Sequence, residues 1–231
     1  MNNMKKLCAF TLLAAIILMP AVLSAQKKAF TGKVTYKIDF DMAGLPEEAK
    51  SMMPTTMAMY IGSEKVKTEI ITVMGNQSTI IDLDEKTHIT LMNVMGQKLA
   101  IKDTFEELMS LMASSGEYSI EITDETKEIA GYTCQKALLK KITGEGESEE
   151  AGEAWFTGAL KLHENFNFNN PQFNEIKGLM MEYGMDAGNN MKMSFTAVEV
   201  AGMKIKGAEF EVPADYEIVT REDLAKRMGS W

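Results

Sequence analysis

The chain of 231 residues carries 33 acidic against 24 basic side chains, a formal net charge of −9, which argues against nucleic acid as partner and against electrostatic attachment to an anionic membrane. Its length and 45% hydrophobic content suffice for one domain with a sizeable core, and no internal repeat or long Pro, Gly or Ser linker divides it. The two cysteines, Cys8 and Cys134, exclude a disulfide framework.

The first segment has a basic start at Lys5 and Lys6, an apolar run from Leu7 to Leu23, and the small residues Ser24 and Ala25 before Gln26. It reads as a secretory signal peptide over residues 1–25, leaving 26–231 as a single mature domain. Pro20 interrupts the run and only Lys27 and Lys28 follow it, so no transmembrane anchor is expected after cleavage. Cys8 lies at the front of the apolar run, not behind it, and cannot become a lipid-modified first residue of the mature chain. Cleavage removes two lysines and no acid, leaving 22 basic against 33 acidic residues, a net charge of −11. The protein is expected to be exported, to the periplasm or beyond the cell.

The stretch GKVTYKIDFDM then places Val34, Tyr36, Ile38, Phe40 and Met42 on one face, with Lys33, Thr35, Lys37, Asp39 and Asp41 on the other, which predicts a strand with one wet face. LPEEAKSMM predicts a short helix, with Pro46 at its start and Ala49, Met52 and Met53 on one side. Alternation returns in KVKTEIITVM, STIIDLD and KTHITLMNV, separated by turn signals at Gly62-Ser63, Gly75-Asn76 and Asp84-Glu85. TFEELMSLMASSG predicts the best helix, opened by a capping box of Thr104 and Glu107, with Phe105, Leu108, Met109 and Met112 at helical spacing and a stop at Gly116. YSIEIT, CQKALLKKI, EAWFT, LMMEYGM and MKMSFTAVEV are further strands, with a turn at Gly188-Asn189, and TREDLAKRM is a last helix capped by Thr220 and Asp223. Short connections favour antiparallel neighbours. The expected fold class is α+β: a large, mainly antiparallel sheet covered by two or three short helices.

Seventeen of the 20 methionines lie beyond the leader. Methionine fills irregular gaps and also lines surfaces that accept varied apolar partners, so a methionine-packed core and a lipid- or peptide-binding cavity both stand. Met57 with Met59 and Met191 with Met193 have a copper-like spacing, yet strand alternation produces it too and no His or Cys adjoins either pair. His88 and His163 lack a second ligand at metal spacing. Asp82 with Asp84, and the acidic run GEGESEE, read as solvated turn and loop charges. Cys134 has no activating base or helix start beside it, so it reads as a small apolar core residue. No G-x-S-x-G, H-E-x-x-H, P-loop or dinucleotide turn is present. We expect no catalytic residue, no metal and no cofactor.

The order GKVTYKIDF, KEIAGYTCQKALL, EAWFTGAL, KGLMMEYGM and FEVPADYEIV resembles the secreted bacterial domain-of-unknown-function family 4412, and is similar to the GLPGLI family and to the LolA/LppX lipoprotein-carrier superfamily. Where GLPGLI members would carry their signature, this chain has Gly178, Leu179, Met180 and Met181. The resemblance implies a strongly curved antiparallel sheet, an incomplete barrel, whose concave face is covered by helices and can hold acyl chains. Carriers of that kind use an arginine to hold a closed state; the arginines here are Arg221 and Arg227, and the role transfers to neither.

The leading expectation is a non-enzymatic envelope protein that shelters an apolar ligand, a lipid or the acyl chain of a lipoprotein, between sheet and helical lid. Met52, Met53, Leu108, Met109 and Met112 are the expected lid; Met57, Met59, Met180, Met193 and Phe195 are the expected floor. The alternatives are a protein-interaction or structural module of the envelope with a self-filled core, and, last, a hydrolase with an unrecognised site. The expected partners are that apolar ligand and another envelope protein.

Overall fold

The computed structural model describes residues 29–41, 47–73, 75–94, 96–113, 116–144, 146–186 and 192–228. The expected leader lies outside them, as do Met42, Pro46, Met191 and the Gly188-Asn189 turn. The strands are β1 (Gly32–Phe40), β2 (Thr56–Ile61), β3 (Lys65–Thr72), β4 (Gly75–Asp82), β5 (Thr87–Val94), β6 (Gln97–Asp103), β7 (Tyr118–Ile129), β8 (Tyr132–Gly144), β9 (Glu147–Thr157), β10 (Leu179–Asp186), β11 (Lys192–Gly202) and β12 (Glu217–Val219). The helices are α1 (Glu47–Ser51), α2 (Phe105–Ala113) and α3 (Arg221–Met228). All twelve strands form one sheet in the order β12-β6-β5-β4-β3-β2-β1-β11-β10-β9-β8-β7. Neighbours are antiparallel except for the parallel β12–β6 pair. The sheet is curved and open, with few and short helices: the alternation predicts the large antiparallel sheet, and the incomplete barrel is the one that the family resemblance implies.

β1 sits inside the sheet because its alternation makes one face apolar. Val34, Tyr36 and Ile38 are buried while Lys37 and Asp39 are exposed. On its buried face Tyr36 stands opposite Met57 of β2 and Ala197 of β11, Ile38 opposite Phe195, and Phe40 opposite Met193. Between β7 and β8 the chain reverses through Ala130 at φ 48° and Gly131 at φ 81°, the paired left-handed conformation of a type I′ turn, which matches the twist of the strands it joins.

β2 and β6 are strands that the sequence does not announce. In β2, Met57, Ala58, Met59, Tyr60 and Ile61 are apolar on both faces, which hides the two-residue period. α2 starts as its capping box dictates: the Thr104 backbone N–H donates to Glu107 Oε2 at 2.8 Å, and the Glu107 N–H donates to Thr104 Oγ1 at 3.2 Å. α3 starts with the Asp223 N–H donating to Thr220 Oγ1 at 3.1 Å.

The larger core cluster joins β1 to β4 with β7 to β11 and takes in Phe166, Phe173 and Ile176 from the connection 158–178. That connection is a chain of tight turns ending in a 3-10 turn at Pro171–Phe173. Each of its three buried side chains contributes about 2 kcal/mol of apolar burial. The opposite face carries a smaller cluster of Ile80, Leu91 and Ala100, covered by Phe210, Val212 and Tyr216. Ile80 and its neighbour Ile81 fall in different clusters, as strand alternation requires.

Candidate functional site

Tyr183 organises the middle of the larger cluster. Its ring stacks on Phe195 at 4.9 Å between centroids and meets Tyr36 and Phe173 edge-on at 6.0 and 5.7 Å. Such pairs add about 0.5–1.5 kcal/mol each beyond their burial. The Tyr36 hydroxyl donates to the Met180 carbonyl at 2.8 Å. Burial pushes both phenols well above their ordinary acidity range, with Tyr183 adding to the effect on Tyr36. The centre is therefore solid and neutral.

The space lies beyond this aromatic group, toward the end of the sheet where β1 finishes. A hollow of about 520 Å3 is lined there by Phe40, Tyr118, Leu139, Met185, Met193 and, from the 3-10 turn, Gln172. Asp39, Asp41, Glu153 and Lys192 also line it. Asp39 pairs with Lys37 at 2.7 Å, and Glu153 pairs with Lys136 at 2.9 Å, which draws the Glu153 carboxyl below its usual range. The volume lies within the range of small-molecule pockets.

Of the ten residues expected to hold a ligand, Met193 lines this hollow. Met57, Met180 and Phe195 are buried in the larger cluster, and Met59 packs against it with Met193. Leu108 is buried, Met109, Met112 and Met53 are half-buried, and Met52 is 47% exposed. None of these five belongs to either cluster. α2 reaches the interior through Phe105, whose ring lies 6.3 Å from that of Phe168 in the 158–178 connection. Phe40, Leu139 and Met185 are wall residues that sequence reasoning did not single out; the signal for Phe40 was present in the alternation of β1.

At the opposite end a second cavity of about 310 Å3 is bounded by Leu160, Leu162, Phe166, Asn167 and Ile176. The Asn167 amide donates to the Ile176 carbonyl at 3.1 Å, and its Oδ1 has no partner among the described residues. His163, on the same cavity, lies 3.1 Å from Asp84.

A third polar group sits where β6 meets α3. Asp103 is fully buried and receives Arg221 through Nε at 2.5 Å and Nη2 at 2.9 Å, with His88 Nδ1 at 3.3 Å. Burial holds the His88 imidazole below its ordinary value, against the pull of Asp103 and with the push of Arg221. Cys134 is buried, its thiol donating to the Tyr132 carbonyl at 3.3 Å, and burial raises its pKa. A thiol held protonated in this way is a poor nucleophile. Among the described residues no group of three His, Cys, Asp or Glu is placed to hold a metal ion.

No protein-family model matches the chain, and no curated protein matches it. Resemblance to family 4412 and to the GLPGLI family therefore has no sequence match behind it. Among solved structures, PNGF-II matches with 14% identity and a TM-score of 0.46 over 86% of this chain, which spans only 33% of the PNGF-II chain. An uncharacterized conserved protein from Thermus thermophilus matches with 10% identity and a TM-score of 0.45, covering 82% of this chain and 91% of its own. The Mycobacterium tuberculosis lipoprotein LppX matches with 9% identity and a TM-score of 0.39, covering 76% of this chain and 89% of its own. This is weak structural similarity and carries nothing about what the chain binds. No described helix is long and apolar enough to cross a membrane.

Proposed function

We propose that the protein is an exported, non-enzymatic binding protein of the cell envelope that holds one apolar ligand, an acyl chain or a compound of similar size, in the hollow beyond Tyr183. The reading is carried by one observation: a space of about 520 Å3 walled by Phe40, Leu139, Met185 and Met193 beside the aromatic packing at the middle of the core. Each methylene moved there from water contributes about 0.8 kcal/mol, so a chain of roughly eight carbons supplies about 6 kcal/mol before the costs of ordering it. The buried thiol of Cys134 supports a non-catalytic reading.

A second reading, an envelope interaction or structural module filled by its own side chains, is favoured by the packing of Tyr36, Phe173, Tyr183 and Phe195 through the middle of the core. One experiment separates the two. Protein recovered from its native envelope is extracted and the extract examined by mass spectrometry, beside a Met193→Trp variant whose indole occupies the hollow. The binding reading expects an apolar species in constant proportion to protein and its loss from the variant. Repeated extracts without such a species would leave the self-filled module standing.

A further inference from the structure

The turns joining β2 to β6 differ sharply between the two ends of the sheet. At the end where β1 begins, the β2–β3 turn carries Glu64 and Lys65, and the β4–β5 turn carries Asp82, Asp84, Glu85 and Lys86. At the end where β1 finishes, the β3–β4 and β5–β6 hairpins fall within residues 70–81 and 89–97. Neither run contains an Asp, Glu, Lys or Arg, in a chain of which 25% is charged. Ile71 and Val73 at the β3–β4 tip are 63% and 71% exposed. Hairpin ends are normally built from small polar residues; here two large apolar side chains stand at one, with no charged residue between Glu69 and Asp82 in the sequence.

We propose that this end of the molecule docks on a lipid bilayer surface of low net charge, with the Ile71 and Val73 tip entering the interfacial layer. Three observations favour a bilayer over a protein groove or an anionic membrane. The two uncharged hairpins are adjacent in the sheet and their centres lie about 10 Å apart at its end, so a flat surface meets both together. The apolar groups occupy a projecting tip rather than a recessed face, which suits shallow entry into a headgroup layer. The hairpin runs 70–81 and 89–97 themselves offer no lysine or arginine for anionic headgroups, Lys98 beside the second run is paired with Asp215, and the acidic chain is repelled by such headgroups. The hollow bounded by Phe40, Met185 and Met193 lies toward this same end. Docking stands independently of whether that hollow takes a ligand.

The test is vesicle flotation of the exported protein, its N-terminus read by mass spectrometry, with vesicles of phosphatidylcholine alone and of phosphatidylcholine mixed with phosphatidylglycerol. The protein should float with phosphatidylcholine and less with the anionic mixture. Ile71→Asp combined with Val73→Asp should weaken flotation about tenfold or more, whereas Val198→Asp, at an exposed apolar position on β11, should not change it. Because the double variant could fold poorly, Ile71→Trp supplies a second readout: its emission should shift to the blue when phosphatidylcholine vesicles are added. Met193→Trp should leave flotation intact, which separates this proposal from the ligand reading. Failure to float, equal flotation of the double variant, or self-association lost in the double variant without any vesicle binding would each overturn it, the last by showing that a second copy covers the tip.

Discussion

Replacing Arg221 by methionine is the sharpest probe of how the C-terminal helix is held. The guanidinium makes two hydrogen bonds to Asp103, at 2.5 and 2.9 Å, and Asp103 is fully buried where β6 ends. Removing one partner of a buried ion pair costs about 3–5 kcal/mol, because a carboxylate is left desolvated without compensation. Here the Arg221 side chain is 46% exposed and His88 Nδ1 remains 3.3 Å from Asp103, so screening and the residual partner reduce the expected loss to about 2–3 kcal/mol. For a domain of this size that is a fall in Tm of about 5–10 °C. Urea unfolding should show a lower midpoint at unchanged slope. The double variant Arg221→Met with Asp103→Leu should regain most of the loss, since a well-packed apolar pair can match a buried ion pair. A single variant within about 0.5 kcal/mol of the parent, or one that loses as much when Asp103 is already leucine, would refute the claim that a buried charge pins α3.

Two further outcomes follow from local geometry. Burial keeps the His88 pKa below its ordinary 6.5, so below about pH 6.5 the unfolded chain takes up a proton that the folded chain resists. Its contribution is complete above that pH and is lost as pH falls through the depressed folded value. His88→Gln should therefore lessen the drop in urea midpoint between about pH 7.5 and 5.5, and an identical drop in both proteins would sink the assignment. Ala130 holds a left-handed φ of 48° at the first position of a type I′ turn, where Asn is preferred. Ala130→Asn should gain about 0.5–1 kcal/mol in thermal unfolding, and a loss would mean that the turn is of another kind.

The sheet was legible wherever one face of a strand meets water. β1 could be read because lysines and aspartates mark its wet face, and α2 because Thr104 and Glu107 bracket its start. β2 was hidden by apolar residues on both faces, and β6 by its short irregular pattern QKLAIKD. The connection 158–178 was unreadable for a different reason: its Asn and Phe residues follow neither a helical nor a strand period. Phe166, Phe173 and Ile176 enter the core from successive turns, a placement set by tertiary contacts alone. The hollow was legible only in part. Alternation puts Phe40 and Met193 on the buried side of adjacent strands, but the approach of Tyr118, Leu139 and Gln172 depends on how far the sheet curves, which no short stretch of sequence encodes.

The pairing of β1 with β11 makes residues 32 and 202 neighbours. Everything before that seam can assemble locally, as two meanders of consecutive strands, β2 to β6 and β7 to β11, while β1 finds β2 nearby. The seam itself joins strands as far apart in sequence as Tyr36 and Ala197, and such distant closures are slow to form. Until β11 is available, one edge of β1 lacks its partner strand. For a chain read as exported, this order of events is an advantage: a polypeptide that cannot zip shut early stays threadable, and its two halves lock together only once they are on the same side of the membrane.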